Sequence, residues 1–238
     1  MRPRSQTLIL LVVAVVEAGV LVAAFLFPLV GGAGLLARTS VPPPGELPAD
    51  LSGDLWGNSR VLAADGSVIT TFYANDRVPV TTEQVAPVMK QAMVAIEDAR
   101  FYEHGGLDVR GTVRALATNV AAGSVQQGGS TLTQQLVKQT LAQTADTAEQ
   151  RRTATEGSLG RKLREARLAV VLEEAYSKDE ILTRYLNTVY FGGGAYGIQA
   201  AAQRYFSVDA ADLTLPQAAM LAGLVQSPAR RAPWAGVS

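Results

Sequence analysis

Apolar residues change their spacing along this chain, and the change divides it into predicted elements. The run Val61-Leu62-Ala63-Ala64-Asp65-Gly66-Ser67-Val68-Ile69-Thr70-Thr71-Phe72 is short, rich in β-branched residues and centred on Asp65-Gly66, a pair suited to a positive-φ turn. It predicts a β-hairpin. After Thr82, apolar residues recur at every third and fourth position over 84–98, 108–122, 131–143, 159–175, 178–189, 195–205 and 214–224. That period belongs to helices with one buried face, so everything after Thr82 is expected to be helical and the fold class mainly α. Pro216 stands at the start of the last segment, where its missing N–H is tolerated. Between Gln143 and Ser158 the pattern lapses into Ala, Thr, Gln, Glu and the pair Arg151-Arg152, which predicts a mobile loop.

The N-terminal third has a different character. Leu8 to Val30 is a 23-residue apolar stretch whose one charged residue is Glu17. As a helix it would extend ~34 Å, enough to cross a hydrocarbon core of ~30 Å. Arg2 and Arg4 precede it, so the positive-inside rule keeps residues 1–7 cytoplasmic and places the remainder outside. The stretch is too long for the apolar region of a cleaved signal peptide and predicts a signal-anchor. Residues 31–58 follow as a Pro- and Gly-rich spacer containing Pro42-Pro43-Pro44, with folding expected from about Ser59 to Ser238.

Lys+Arg and Asp+Glu balance at 21 each, which argues against nucleic acid as a partner. Any basic site must be local. With no cysteine and a single histidine, His104, neither a disulfide nor a thiolate or His-based zinc centre is expected.

Three polar clusters interrupt the helical pattern. Gly128-Gly129-Ser130-Thr131 precedes Leu132 to Lys138 and resembles a helix N-terminus able to face an anion: the glycines allow a sharp turn, and Ser130 or Thr131 can cap the helix. Gln134, Gln135 and Lys138 then share a face, the lysine adding mobile positive charge. Upstream, the apolar run Met89 to Ile96 ends in Glu97-Asp98, followed by Ala99 to Gly106. A carboxylate at the end of an apolar helix is partly desolvated, and that makes Glu97 a candidate general base near neutrality. The third cluster is Arg161-Lys162-Leu163-Arg164-Glu165, in which Arg161 and Glu165 are one turn apart.

Taken in order, these residues resemble the peptidoglycan glycosyltransferase domain of class A penicillin-binding proteins and monofunctional biosynthetic transglycosylases. Glu97 to Gly105 reads as E-D-x-x-F-x-x-H-x-G, Gly129 to Lys138 as G-S-T-x-T-Q-Q-x-x-K, and Arg161 to Glu165 as R-K-x-x-E. A fourth match runs from Ile181 to Gly192 and on through Tyr196 to Ala202. The resemblance implies a lysozyme-like helical domain with a cleft and an apolar approach to the membrane. It implies polymerisation of lipid II: an acceptor 4-OH attacks the anomeric carbon of a lipid-linked donor and a diphosphate leaves. In it Glu97 is the base and Glu165 the second acidic residue, near the donor diphosphate. Gln135, Lys138, Arg161 and Lys162 bind phosphate or sugar, Ser130 and Thr131 open that pocket, and Asp98 orients the Glu97 turn at its edge. Phe101 and His104 brace the loop, while Tyr185-Leu186-Asn187 and Tyr190-Phe191-Gly192 are packing and cleft wall. Mg²⁺ or Mn²⁺, the membrane, the growing lipid-linked glycan and a separate transpeptidase are implied in the same way, with the domain outside the bacterial cell membrane.

Two rival readings are a lytic enzyme of the same architecture, in which paired carboxylates cleave glycan, and a non-catalytic membrane module that binds cell-wall partners. Lys138, Arg161 and Lys162 speak against the first, since a neutral glycan does not require them. No Asp-x-Asp pair supports a nucleotide-sugar donor. The chain stops soon after Gln226-Ser227-Pro228, where the family continues through an Asn-Pro segment, and it lacks Ser-x-x-Lys followed by Lys-Thr-Gly. The expectation is a C-terminally shortened domain of the bifunctional type, without its transpeptidase.

Overall fold

A computed structural model describes residues 47–53, 57–72, 75–124 and 128–228. The predicted tail and anchor over residues 1–30 lie outside these, as does most of the predicted spacer. Among the described residues no helix is long and apolar enough to cross a membrane. The chain divides into two units, residues 43–156 with 165–238, and residues 1–42 with 157–164.

The larger unit begins with a single helical turn, α1 (Ala49–Ser52). Leu51 is 3% exposed, Tyr176 donates to Ser52 O, and Arg184 donates to Gly53 O at 3.2 Å. The ordered fold therefore starts ahead of Ser59, inside the segment whose Pro and Gly content predicts a spacer. The expected hairpin is present as β1 (Ser59–Leu62) and β2 (Val68–Phe72), antiparallel with Ser59 opposite Phe72. Gly66 takes φ 84° in its turn, and Asp65 Oδ1 accepts from Ser67 N and Oγ.

Helices α2 (Pro87–Glu97), α3 (Val109–Ala122) and α4 (Leu132–Gln143) follow within a few residues of their predicted bounds. The predicted loop at 143–158 is corrected by α5 (Ala148–Thr155). This helix has no buried residue and no apolar face for periodicity to reveal. Local chemistry starts it instead: Thr147 Oγ1 accepts from Gln150 N, and Gln150 Oε1 accepts from Thr147 N at 3.0 Å, a reciprocal capping box. Then come α6 (Leu159–Ala175), α7 (Lys178–Thr188), α8 (Ile198–Phe206) and α9 (Leu215–Val225), with Pro216 in the first turn of α9 as expected.

The purely helical reading after Thr82 fails at one place. Residues 190–196 form a small antiparallel pair, β3 (Tyr190–Gly192) and β4 (Ala195–Tyr196). Gly192, Gly193 and Gly194 take φ of 92°, 58° and 85°, which turns the chain too tightly for a helix to continue. Gly197 (φ 83°) then lies so close to Asn187 that a Cβ would meet its carbonyl oxygen at 2.8 Å.

The core lies where α9 packs on α2 and α4 on α7. Met89, Met93, Leu132, Ile181, Leu182, Leu186, Phe191 and Leu221 are fully buried. Asn187 closes one side with two bonds to Val80, donating to its carbonyl at 2.8 Å and accepting from its N–H at 3.1 Å. Of the smaller unit only residues 157–164 are described. They open α6, with Ser158 Oγ accepting from Arg161 N at 3.2 Å.

Candidate active site

Helix α2 ends at Glu97 because the backbone leaves the helical region at Asp98 (φ −156°, ψ 77°), whose N–H still bonds Val94 O. Two successive carboxylates thereby point along different paths. Asp98 reaches the start of α4, where its Oδ2 accepts from Leu132 N at 3.1 Å, and its Oδ1 meets His104 Nε2 at 2.9 Å. Glu97 instead meets the first turn and a half of α4 from the side, its Oε2 accepting from Gln135 Nε2 at 3.0 Å. Glu97 Oε1 is buried and has no hydrogen-bond partner among the described residues. The Glu97 pairing with Arg100 that a plain surface helix would show does not form; Arg100 binds Asp108 through both carboxylate oxygens.

The start of α4 takes one of the two caps that the sequence allowed. Thr131, not Ser130, is the N-cap: its Oγ1 accepts from Gln134 N at 3.2 Å and donates to Gly106 O at 2.9 Å. Gln134 turns back to accept from Thr131 N, completing a capping box, and both side chains are buried. The anionic partner of this helix N-terminus is thus the chain's own Asp98, bonded to Leu132 N, rather than an open seat for phosphate. A helix start attracts negative charge whichever molecule supplies it, and the sequence pattern cannot tell the two cases apart.

The loop from Asp98 to Asp108 is braced as expected. Phe101 is fully buried, with Lys178 Nζ 4.4 Å above its ring centre and Tyr102 edge-on at 5.2 Å. His104 spans Asp98 and Gly105 O. Gly106 is indispensable to the packing, since a Cβ there would fall 2.6 Å from the Ala169 backbone of α6. Tyr102 donates to Asp179 at 2.8 Å; burial first, and that carboxylate second, push its phenol up to about 12.

The other predicted residues lie at the start of α4 and on α4 and α6. Lys138 is exposed, one turn beyond Gln135 on α4. Ser130 is half-buried beside the cap. Glu165 is 1% exposed in α6 and belongs to the larger unit. Arg161 and Lys162 stand in the first turn of α6, in the smaller unit.

The sequence neighbourhood of Tyr185 predicts packing, and the residue is fully buried in α7. Its hydroxyl nevertheless donates to Gln135 Oε1 at 3.2 Å. The signal was available in the residue type, because a buried phenol needs a polar partner.

Asp98, His104 and Asp108 offer ligand atoms within 4.8 Å of one another. They do not fit a divalent cation. Asp98 is already bonded by His104 and Leu132 N, and Asp108 by Arg100 and Gly111 N. Cationic or N–H donors occupy the positions a hard metal ion would need.

A family model described as Transglycosylase matches residues 65–237. The chain is 37% identical over 179 residues to penicillin-binding protein 1F of Bacillus subtilis, covering 75% of this chain and 24% of that protein. It is 41% identical over 169 residues to penicillin-binding protein 1A of Escherichia coli, covering 71% of this chain and 19% of the relative. Penicillin-binding protein 1A of Neisseria flavescens is 42% identical over 168 residues, with 71% and 20% covered. The chain thus matches 19% to 24% of the length of these relatives.

Proposed function

The chain belongs to the transglycosylase family, and from that premise we propose that it is a peptidoglycan glycosyltransferase that polymerises lipid II. The 4-OH oxygen of an acceptor sugar forms a bond to the anomeric carbon of a lipid-linked donor as the α-linked bond to diphosphate breaks. The configuration inverts to β-1,4, and undecaprenyl diphosphate leaves with the electron pair. Glu97 takes the hydroxyl proton.

The observation that carries this reading is the divided state of the Glu97 carboxylate. Oε2 is held by Gln135, while Oε1 is buried with no hydrogen-bond partner among the described residues. A buried acceptor left without a donor is costly. A sugar hydroxyl arriving at Oε1 relieves that cost and is placed to hand over its proton.

Lys138 is proposed to receive the diphosphate, with Glu165 as the second acidic residue serving the same end of the donor. The anchor proposed for Leu8 to Val30 keeps the domain at the outer face of the bacterial cell membrane. Leu107, Val109 and Val113, at 40%, 69% and 61% exposure, support an apolar approach to the lipid. A separate transpeptidase would cross-link the strands produced.

The test is incubation of the full chain and of Glu97→Gln with lipid II, with and without Mg²⁺ or Mn²⁺. Glycan growth by the native chain alone, with lipid II binding retained in the variant, is expected. Shortening of preformed glycan would replace this reading by the lytic one. Binding without either activity would leave a non-catalytic module.

A further inference from the structure

The bonds behind Glu97 extend one residue beyond the carboxylate's own partner, to a side chain that no motif reading treats as part of the chemistry. Tyr185 lies on α7 with its ring fully buried, and its hydroxyl donates to Gln135 Oε1 at 3.2 Å. Gln135, on α4, donates from Nε2 to Glu97 Oε2 at 3.0 Å. Helices α4 and α7 pack directly on each other, so the chain of bonds is set by a helix interface.

We propose that Tyr185 is a positioning residue for the Glu97 base, acting through the Gln135 amide to decide which carboxylate oxygen receives the acceptor's proton. This rests on the reading of Glu97 as the base. An amide presents a carbonyl on one side and an NH₂ on the other, and either could in principle face the carboxylate. A carbonyl facing an ionised Glu97 would repel it. The phenol supplies the missing half of the instruction: as a hydrogen donor it requires the Gln135 carbonyl, and so turns the NH₂ toward Oε2. With Oε2 already accepting from an N–H and Oε1 from none among the described residues, Oε1 is the more basic oxygen for an incoming proton. The same bond stops the carboxylate rotating about its last torsion.

Tyr185 is suited to remain the donor. Burial first, and the nearby Glu97 charge second, push its hydroxyl well above the ordinary tyrosine range, so it keeps its proton at any working pH. Its ring also fills core space, which is why a change that removes the ring would confuse packing with positioning. Tyr185→Phe removes the hydroxyl alone.

In lipid II polymerisation by the full chain, Tyr185→Phe is expected to lower kcat about tenfold, the effect of losing one orienting bond in the transition state, with KM little changed and a melting temperature lowered only modestly, as expected where Gln135 Oε1 loses its donor. Gln135→Ala should lower kcat further. The double variant should be no slower than Gln135→Ala, because the phenol acts only through the amide; such non-additivity is the mark of groups in one network. Gln135→Glu, which places a carboxylate against Oε2, should not rescue. Native kcat in Tyr185→Phe, or losses that multiply in the double variant, would overturn the proposal. If Glu97→Gln is inactive while Tyr185→Phe is native, the positioning role fails and the base stands. If Glu97→Gln keeps full rate, both fail together.

Discussion

The Glu97 cradle and the loop that follows it are built from the same materials and finished differently. In the loop, the two aspartates have their donors: Asp98 holds His104 and the first N–H of α4, and Asp108 holds both Arg100 and Gly111 N. One residue away, Glu97 has a single donor, Gln135, and a buried oxygen without one among the described residues. A saturated acid is structural, because nothing remains for a substrate to bond. A half-saturated buried acid costs free energy in the resting fold, and such costs gather at sites of chemistry. Under the proposed function, the E-D pair of the sequence separates into one residue for rate and one for stability.

The sharpest way to break this division is to change one member at a time. Glu97→Gln keeps size and shape, and it should reduce glycan polymerisation by about 10²–10⁴-fold, the usual worth of a general base. Its thermal transition should move little. Asp98→Ala should do the reverse in kind: it leaves Leu132 N and His104 without their acceptor in a site where the His104 and Asp98 side chains are only 9% and 7% exposed. The cost is about 2–4 kcal/mol from two orphaned donors, read as a fall in the denaturant midpoint. An Asp98→Ala protein as stable as the native chain would erase the distinction.

Thr131→Ala probes the seam between the two regions. It removes a helix cap and the bond to Gly106 O, and should cost about 1–2 kcal/mol. Since α4 also carries Gln135, a loss of rate out of proportion to that destabilisation would mean that the cap helps to aim the cradle.

Much of this was legible in the sequence, and the failures have physical causes. Helices α2, α4, α6 and α7 were readable because each buries one face, and periodicity reports burial. Helix α5 buries nothing, so periodicity was blind to it, although Thr147-x-x-Gln150 carries the cap signal. The β3–β4 pair was hidden in a glycine run whose φ values no spacing rule encodes. Glu97, Asp98 and Gln135 were picked out by motif order, but a motif does not say which way a side chain turns. The open helix N-terminus read at Thr131 proved to be closed by Asp98, 34 residues upstream of Leu132, and Tyr185 was hidden by its apolar neighbours. Contacts between distant segments decide such cases, and only the fold supplies them.

The smallest expected effect comes from Asp108, which tests whether saturation in the loop is electrostatic as well as geometric. Burial tends to raise its pKa, but the Gly111 N–H and the Arg100 guanidinium outweigh that and hold the carboxyl below its ordinary value of 3.8. A carboxyl depressed in the folded state binds its proton more weakly there than when unfolded, so it contributes stability that is complete above the unfolded value. That contribution is lost as pH falls through the folded value, which places the window below about pH 4. Because the Arg100 and Asp108 side chains are 26% and 13% exposed, the pair should contribute no more than about 1 kcal/mol. Asp108→Asn keeps an acceptor for Gly111 N and removes the charge. Its stability should therefore sit slightly below that of the native chain at pH 7 and converge with it toward pH 2. Parallel curves across that range, measured by denaturant unfolding, would show that Asp108 works through shape alone and would confine the electrostatic side of the comparison to Glu97.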